Sequence, residues 1–176
     1  MISVEQALEF IKNEEVKIFN TESIEVKKAL NRVLSSSIKA PIDLPPYRQS
    51  SMDGYAINIS GDLSYEVLGE IKAGDNKNYN LLPGTSVRIF TGAAVPDSAN
   101  AVVIQEKVKR NKNFIMLENF PLENQNIREK GSQIKNGSIS LKKGNKLNPA
   151  GIGFIQSLGI QKINVYKKPL VTVIVT

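Results

Sequence analysis

Neither cysteine nor histidine occurs among the 176 residues, and the two absences narrow the chemistry before any motif is considered. Without cysteine there is no disulfide framework and no thiolate, which suits a reducing compartment. Without histidine, imidazole acid–base catalysis, Ser-His nucleophile activation and the usual zinc sites are excluded. The remaining chemistry belongs to carboxylates, lysine, arginine, hydroxyls and backbone groups. No apolar run reaches the ~18 residues of a membrane-spanning helix, and no membrane partner is expected. Residues 1–15 carry acids and lack the basic-then-apolar order of a signal peptide, so the cytoplasm is the expected compartment. Aromatic residues are scarce at 6%, too few for a base-stacking surface. The net charge of +6 would suit an anionic ligand, but the basic groups at 107–112, 142–146 and 167–168 are scattered among acids and read as solvated faces. No nucleic-acid partner is expected.

A chain of this length builds one core or two small ones. Ser3-Val4-Glu5-Gln6 is a capping box that opens a helix through about Asn13, with Val4, Ala7, Leu8 and Ile11 on one face as a core stripe. Residues 24–33 are ambiguous between helix and strand, and residues 33–40 are strand-like. Short period-two strands with glycine punctuation follow, at Tyr55–Ile59, Tyr65–Ile71, Ser86–Ile89, Ala101–Val103, Glu106–Lys109 and Phe114–Leu117. A hairpin turn is expected near Asn111. Gly131, Gly137 and Gly144 mark further turns. Pro149 opens a helix with Ile152, Ile155 and Leu158 inward and Gly159 as its stop, and a strand follows over Ile163–Tyr166. The closing apolar, β-branched run Pro169–Thr176 has the composition of a parallel strand buried on both faces. It is expected to be the first strand of a further domain.

Residues 41–56 stand apart: Pro-Ile-Asp-Leu-Pro-Pro-Tyr-Arg-Gln-Ser-Ser-Met-Asp-Gly-Tyr-Ala. Prolines force an extended approach, a polar run follows, and Asp53 directly precedes a glycine. Asp53-Gly54 reads either as a turn pair or as an acid held in a fixed pose.

This loop resembles the proline-rich Ser-Ala-Met-Asp-Gly-Tyr-Ala signature of MoeA/gephyrin-type molybdopterin molybdenumtransferases. Three more segments match in order: Arg88-Ile89-Phe90-Thr91-Gly92-Ala93-Ala94-Val95-Pro96, Asn126-Ile127-Arg128 followed by Gly131, and Pro149 through Gly159. The closing run is similar to the family's strand before a Thr-Gly-Asp/Asn-Glu-Leu turn. The resemblance implies an α+β, mostly β fold: a discontinuous α+β domain (1–46 with 140–168), an inserted β-barrel-like domain (47–139), and residues 169–176 as the first strand of a missing pterin-binding domain. It also implies a function, insertion of molybdenum from molybdate into adenylylated molybdopterin with release of AMP and with Mg²⁺ involved. The implied assembly is a homodimer in which these domains face the pterin-binding domain of the partner subunit.

By the same resemblance Asp53 is the functional acid and metal ligand, and Thr91 the catalytic hydroxyl. Ser50, Ser51, Gly92 and Arg128 fall in the cofactor-binding segments. Each has a plainer reading beside it. Ser50 and Ser51 cap the local backbone or donate to an oxyanion; Thr91-Gly92 is a turn or an oxyanion site; Arg128 is a surface ion-pair partner or an anion ligand. Glu106 matches the family's downstream glutamate and reads as structural. Two departures are notable. Gln133 stands where the family usually has an acid, and Asn100 where an acid is common. An amide supplies neither a base nor charge for a metal, so Asp53 becomes the main acid, Glu129 stands in, or the chain is a divergent, non-catalytic module for dimerisation or partner docking.

Overall fold

The computed structural model describes residues 2–14 and 20–175. In chain order it runs α1 (Val4–Asn13), β1 (Thr21–Glu25), β2 (Ile38–Lys39), β3 (Gln49–Ser50), β4 (Gly54–Ile57), β5 (Ser64–Ile71) and β6 (Thr85–Ile89). There follow β7 (Ala101–Ile104), β8 (Val108–Asn111), β9 (Phe114–Leu117), β10 (Ile127–Arg128), β11 (Ile139–Leu141), α2 (Pro149–Ser157) and β12 (Lys162–Tyr166). The fold is α+β and mostly β. No helix among the described residues is long and apolar enough to cross a membrane.

The chain divides into two compact units, one of Met1–Lys39 with Ile139–Thr176 and one of Ala40–Ser138. The first exchange between them falls at Lys39/Ala40, ahead of the expected residue 46. The reason is hydrogen bonding: Ala40 donates to the Ser138 carbonyl and Leu44 to that of Ile134, so residues 40–46 belong with the second unit.

In the first unit β1 pairs antiparallel with β12, from Thr21 opposite Tyr166 to Glu25 opposite Lys162, and β2 pairs with β11. Asn148 caps α2 by accepting from the Gly151 amide, Pro149 occupies the first turn, and Gly159 ends the helix at φ +76°. The core collects Val26, Leu34, Leu147, Ile155, Ile163 and Val165. The ambiguous segment resolves into β1 and a 3-10 turn at Val26–Lys28. Residues 33–40 form only bridges at Val33 and Leu34 and the two-residue β2, because their partners, Lys146 and Val165, lie in separate segments.

One expectation for this unit changes. The capping box at Ser3 and Gln6 is present, but no residue of α1 is buried, and Val4 and Ile11 are 72% and 70% exposed. Capping is local and forms the helix; periodicity identifies an apolar face without supplying what covers it. Residues 170–175 are exposed and pair with no strand among the described residues. The strand expected over 169–176 would take its partners from a further domain. Residue 176, the last of that expected strand, lies outside the described residues.

The second unit is built on a six-stranded sheet in the order β7-β4-β6-β5-β9-β8. Successive strands β7 and β8 occupy its opposite edges, although only Gln105–Lys107 separate them. A link of that length reaches ~14 Å, whereas the edges of a flat six-stranded sheet stand ~24 Å apart. The sheet therefore curls into a half-barrel. β4 is buried at all four positions: Ala56 packs with Val87, Ile89 and Val102, while Tyr55 and Ile57 pack with Tyr65, Ala101 and Ile115. The expected strand at 106–109 begins two residues later, because a 3-10 turn precedes Val108. The hairpin turn lies at Lys112-Asn113, with Lys112 at φ +49°.

Two glycines predict opposite signs. A Cβ on Gly54 would run into the Val103 carbonyl, whereas one on Gly153, in α2, meets nothing within 4 Å. Urea unfolding should show Gly54→Ala destabilised by about 1–3 kcal/mol through overpacking and Gly153→Ala stabilised by ~0.5–1 kcal/mol through helix entropy.

Candidate functional site

β4 runs antiparallel to both neighbours, with Gly54 opposite Ile89 of β6 and Ile104 of β7. The residue before β4 therefore meets the residues after β6 and β7. That register brings Asp53, Phe90-Thr91-Gly92 and Gln105-Glu106 to one end of the sheet. Gly54 is a strand residue that permits close backbone approach, not the second half of a turn pair.

Asp53 Oδ1 accepts two hydrogen bonds, from the Thr91 amide and the Thr91 hydroxyl, each 2.7 Å long. The Asp53 carbonyl accepts from the Gln105 amide at 3.1 Å. The Thr91 amide first, the Thr91 hydroxyl next and the Arg88 charge more weakly hold the Asp53 carboxyl below its ordinary value, against a small opposing effect of burial. Asp53 is thus an ionised acceptor at neutral pH and not a proton donor. Both bonds fall on Oδ1; among the described residues Oδ2 has no donor.

The Thr91-Gly92 turn has no spare donors. Thr91 spends its amide and hydroxyl on Asp53, Gly92 donates to the Ser50 carbonyl at 2.9 Å, and Ala93 donates to that of Phe90 at 3.0 Å. An oxyanion at this turn would meet lone pairs, so the geometry disfavours the oxyanion reading of Thr91 with adjacent glycine amides. Gly92 takes φ +86°, and its carbonyl accepts from Gln49 Nε2 at 3.1 Å.

The two serines act on backbone. Ser50 is fully buried and donates to the Met52 carbonyl at 2.7 Å; Ser51 donates through both its amide and its hydroxyl to the Asn126 carbonyl at 3.0 Å. They hold the loop that carries Asp53. Arg128 lies opposite Gln49 in the β3–β10 pair, exposed and with no ion pair to a described residue. Gln133 is exposed on a turn whose amide donates to Leu44, and Glu129 pairs with Arg48 Nε at 3.7 Å. No hydrogen bond among the described residues joins either one to Asp53. Asn100 uses its side-chain carbonyl to accept from the Ile59 amide at 2.8 Å.

Sequence reasoning assigned no role to Arg88 or Gln105, which lie within this cluster. Arg88 Nη1 donates to the Gly54 carbonyl at 2.7 Å and Nη2 to Gln105 Oε1. Both sit in the strand-rich region as ordinary strand-end polar residues, and only their position beside Asp53-Gly54 marks them. Among the described residues no group of three or more Asp, Glu, His or Cys is placed to hold a metal. A concave space of about 520 Å³ lies along residues 109–116 and another of about 270 Å³ beside Tyr47 and Pro96, neither lined by Asp53. Asp53 itself is exposed.

Residues 2–159 match the family described as MoeA N-terminal region (domain I and II). The chain is 35% identical over 160 residues to a molybdopterin molybdenumtransferase of Haemophilus influenzae, covering 89% of this chain and 40% of that protein. It is 34% identical over 195 residues to gephyrin of Dictyostelium discoideum, covering 100% of this chain and 27% of that protein. A crystal structure of a molybdopterin biosynthesis MoeA protein from Pyrococcus horikoshii OT3 superposes with a TM-score of 0.86 at 32% identity, covering 94% of this chain and 46% of that one. The chain thus spans less than half the length of each of these relatives.

The Asp53–Thr91 contact predicts a pH effect. A depressed carboxyl contributes stability above the unfolded value of about 3.9 and loses it as pH falls through the folded value. Thr91→Val removes the hydroxyl bond, so a carbon-13 NMR titration should show the Asp53 midpoint rising toward the ordinary carboxylate value. The urea-midpoint gap between wild type and variant at neutral pH should close in acid.

Proposed function

The chain belongs to the MoeA N-terminal region family, and from that premise we propose that it forms one face of the active site of a molybdenum insertase. In this reading the full-length protein acts in molybdenum cofactor biosynthesis, in the cytoplasm and as a homodimer. It transfers molybdenum from molybdate into adenylylated molybdopterin and releases AMP. The face carrying Asp53 lies against the pterin-binding domain of the partner subunit.

One observation carries the reading: Thr91 fixes the Asp53 carboxylate through two bonds to one oxygen, and the Thr91, Gly92 and Ala93 amides are committed within the protein. What the site offers outward is a carboxylate oxygen and hydroxyl lone pairs. These are hard oxygen donors suited to Mg²⁺, which commonly takes one or two carboxylates and completes its shell with water and substrate phosphate oxygens. Bound there, Mg²⁺ would supply charge to the phosphoanhydride of the adenylylated pterin. Asp53 is the residue that would hold it. Thr91 orients Asp53, Ser50 and Ser51 keep the loop in place, and Gly92 lets the turn close on β3. Arg128, exposed and without an ion pair to a described residue, is available to an anionic group.

The amide at Gln133, where the family pattern has an acid, favours a second reading, a non-catalytic module for dimerisation or partner docking. Cofactor reconstitution with full-length protein separates the two. Under the insertase reading Asp53→Ala should lower the insertion rate by ~10²-fold or more, and Gln133→Asp should keep or raise it. Insertion by Asp53→Ala at the wild-type rate would support the docking module.

A further inference from the structure

Thr91 fixes the Asp53 carboxylate, yet the two residues belong to the ends of different strands. Their pose is only as definite as the alignment of those ends. One side chain spans all three strands there. Arg88 leaves β6, and its Nη1 donates to the Gly54 carbonyl of β4 at 2.7 Å and to the Ile89 carbonyl at 3.3 Å. Its Nη2 donates to Gln105 Oε1, just past β7. The guanidinium carbon lies 5.3 Å from the Tyr55 ring centre and 4.7 Å from that of Phe90. Planar faces on aromatic rings restrict its rotation, and its two nitrogens are committed in different directions.

Gln105 extends this link. Its amide N–H donates to the Asp53 carbonyl at 3.1 Å, and its Nε2 donates to Glu106 Oε1 at 3.1 Å. The side-chain amide has its oxygen toward the guanidinium and its nitrogen toward the carboxylate, so its orientation is set by charge at both ends. The successive carbonyls of Asp53 and Gly54 are therefore each bonded to the Arg88–Gln105 pair.

We propose that Arg88, acting through Gln105, is the positioning residue for the Asp53–Thr91 pair and keeps the free carboxylate oxygen aimed outward. The planar fork matters more than the charge. A lysine ammonium is a point donor that neither spans the Gly54 carbonyl and the Gln105 amide in this fixed geometry nor stacks in the same way. Only the activity arm of the test rests on the insertase reading.

The test compares Arg88→Lys, which keeps the charge, with Gln105→Leu, which keeps the backbone bond to Asp53 at an exposed position. Amide hydrogen exchange and proton shifts are read by NMR on the 176-residue chain. In both variants the Thr91 amide should exchange at least ~10-fold faster and move upfield, while the core amides of Ile57 and Ile115 keep wild-type protection. In full-length protein, with adenylylated molybdopterin and molybdate, kcat should fall ~10- to 100-fold with KM within ~2-fold, the signature of a misplaced group. A Thr91 amide unchanged in both variants, or one that changes only together with Ile57 and Ile115, overturns the proposal. So does an unchanged kcat in protein whose Asp53→Ala form is inactive. If the Thr91 amide responds as expected but Asp53→Ala inserts molybdenum normally, Arg88 still positions Asp53 and the insertase reading falls.

Discussion

The close approach of β4 to β7 governs the site more than any side-chain contact. Gly54 leaves no room for a Cβ beside the Val103 carbonyl, and that approach sets the register that pairs Gly54 with Ile89 and Ile104. Asp53 is the next residue out, so its distance from Thr91 follows from backbone pairing. A slip of one residue would turn β4's buried side chains to opposite faces. Burial at all four positions of β4 penalises that slip. The same tight core that stabilises the sheet therefore defines where the carboxylate stands.

From that placement the electrostatics follow. Two short bonds from one threonine fix the Asp53 carboxylate and lower its pKa further, and the turn beyond has committed its amides to Ser50 and Phe90. A site whose donors are consumed and whose acceptor remains free has a definite preference in sign. The nearby cation does not reverse it, because Arg88 is engaged with backbone, glutamine and two aromatic rings. Ser50 and Ser51 illustrate the same division of labour: hydroxyls in the motif serve the backbone that carries the acid.

Local signals were readable where local physics dominates. The capping box, the Pro149 start and Gly159 stop of α2, and most of the period-two strands of the second unit could be assigned because caps, glycine conformations and side-chain alternation act within a few residues. The order of strands could not. β5 beside β6 in parallel, or β7 and β8 on opposite edges, are long-range choices with no short-range mark. α1 shows the converse error, since its stripe looks like core but nothing among the described residues covers it.

At the site, Asp53 and Thr91 are recognisable through their motifs, yet at 38 positions apart in the chain each taken alone reads equally as a turn residue. Arg88, Gln105 and the exhaustion of donors around Gly92 were not legible, because hydrogen-bond commitments depend on which strand ends converge. By itself the sequence determined the available chemistry: no imidazole, no thiolate, carboxylates and hydroxyls in a proline-led loop. Only the tertiary structure decided that one threonine fixes one carboxylate through a single oxygen, the other having no donor among the described residues. Antiparallel pairing around a glycine, a contact between distant segments, is what joins them.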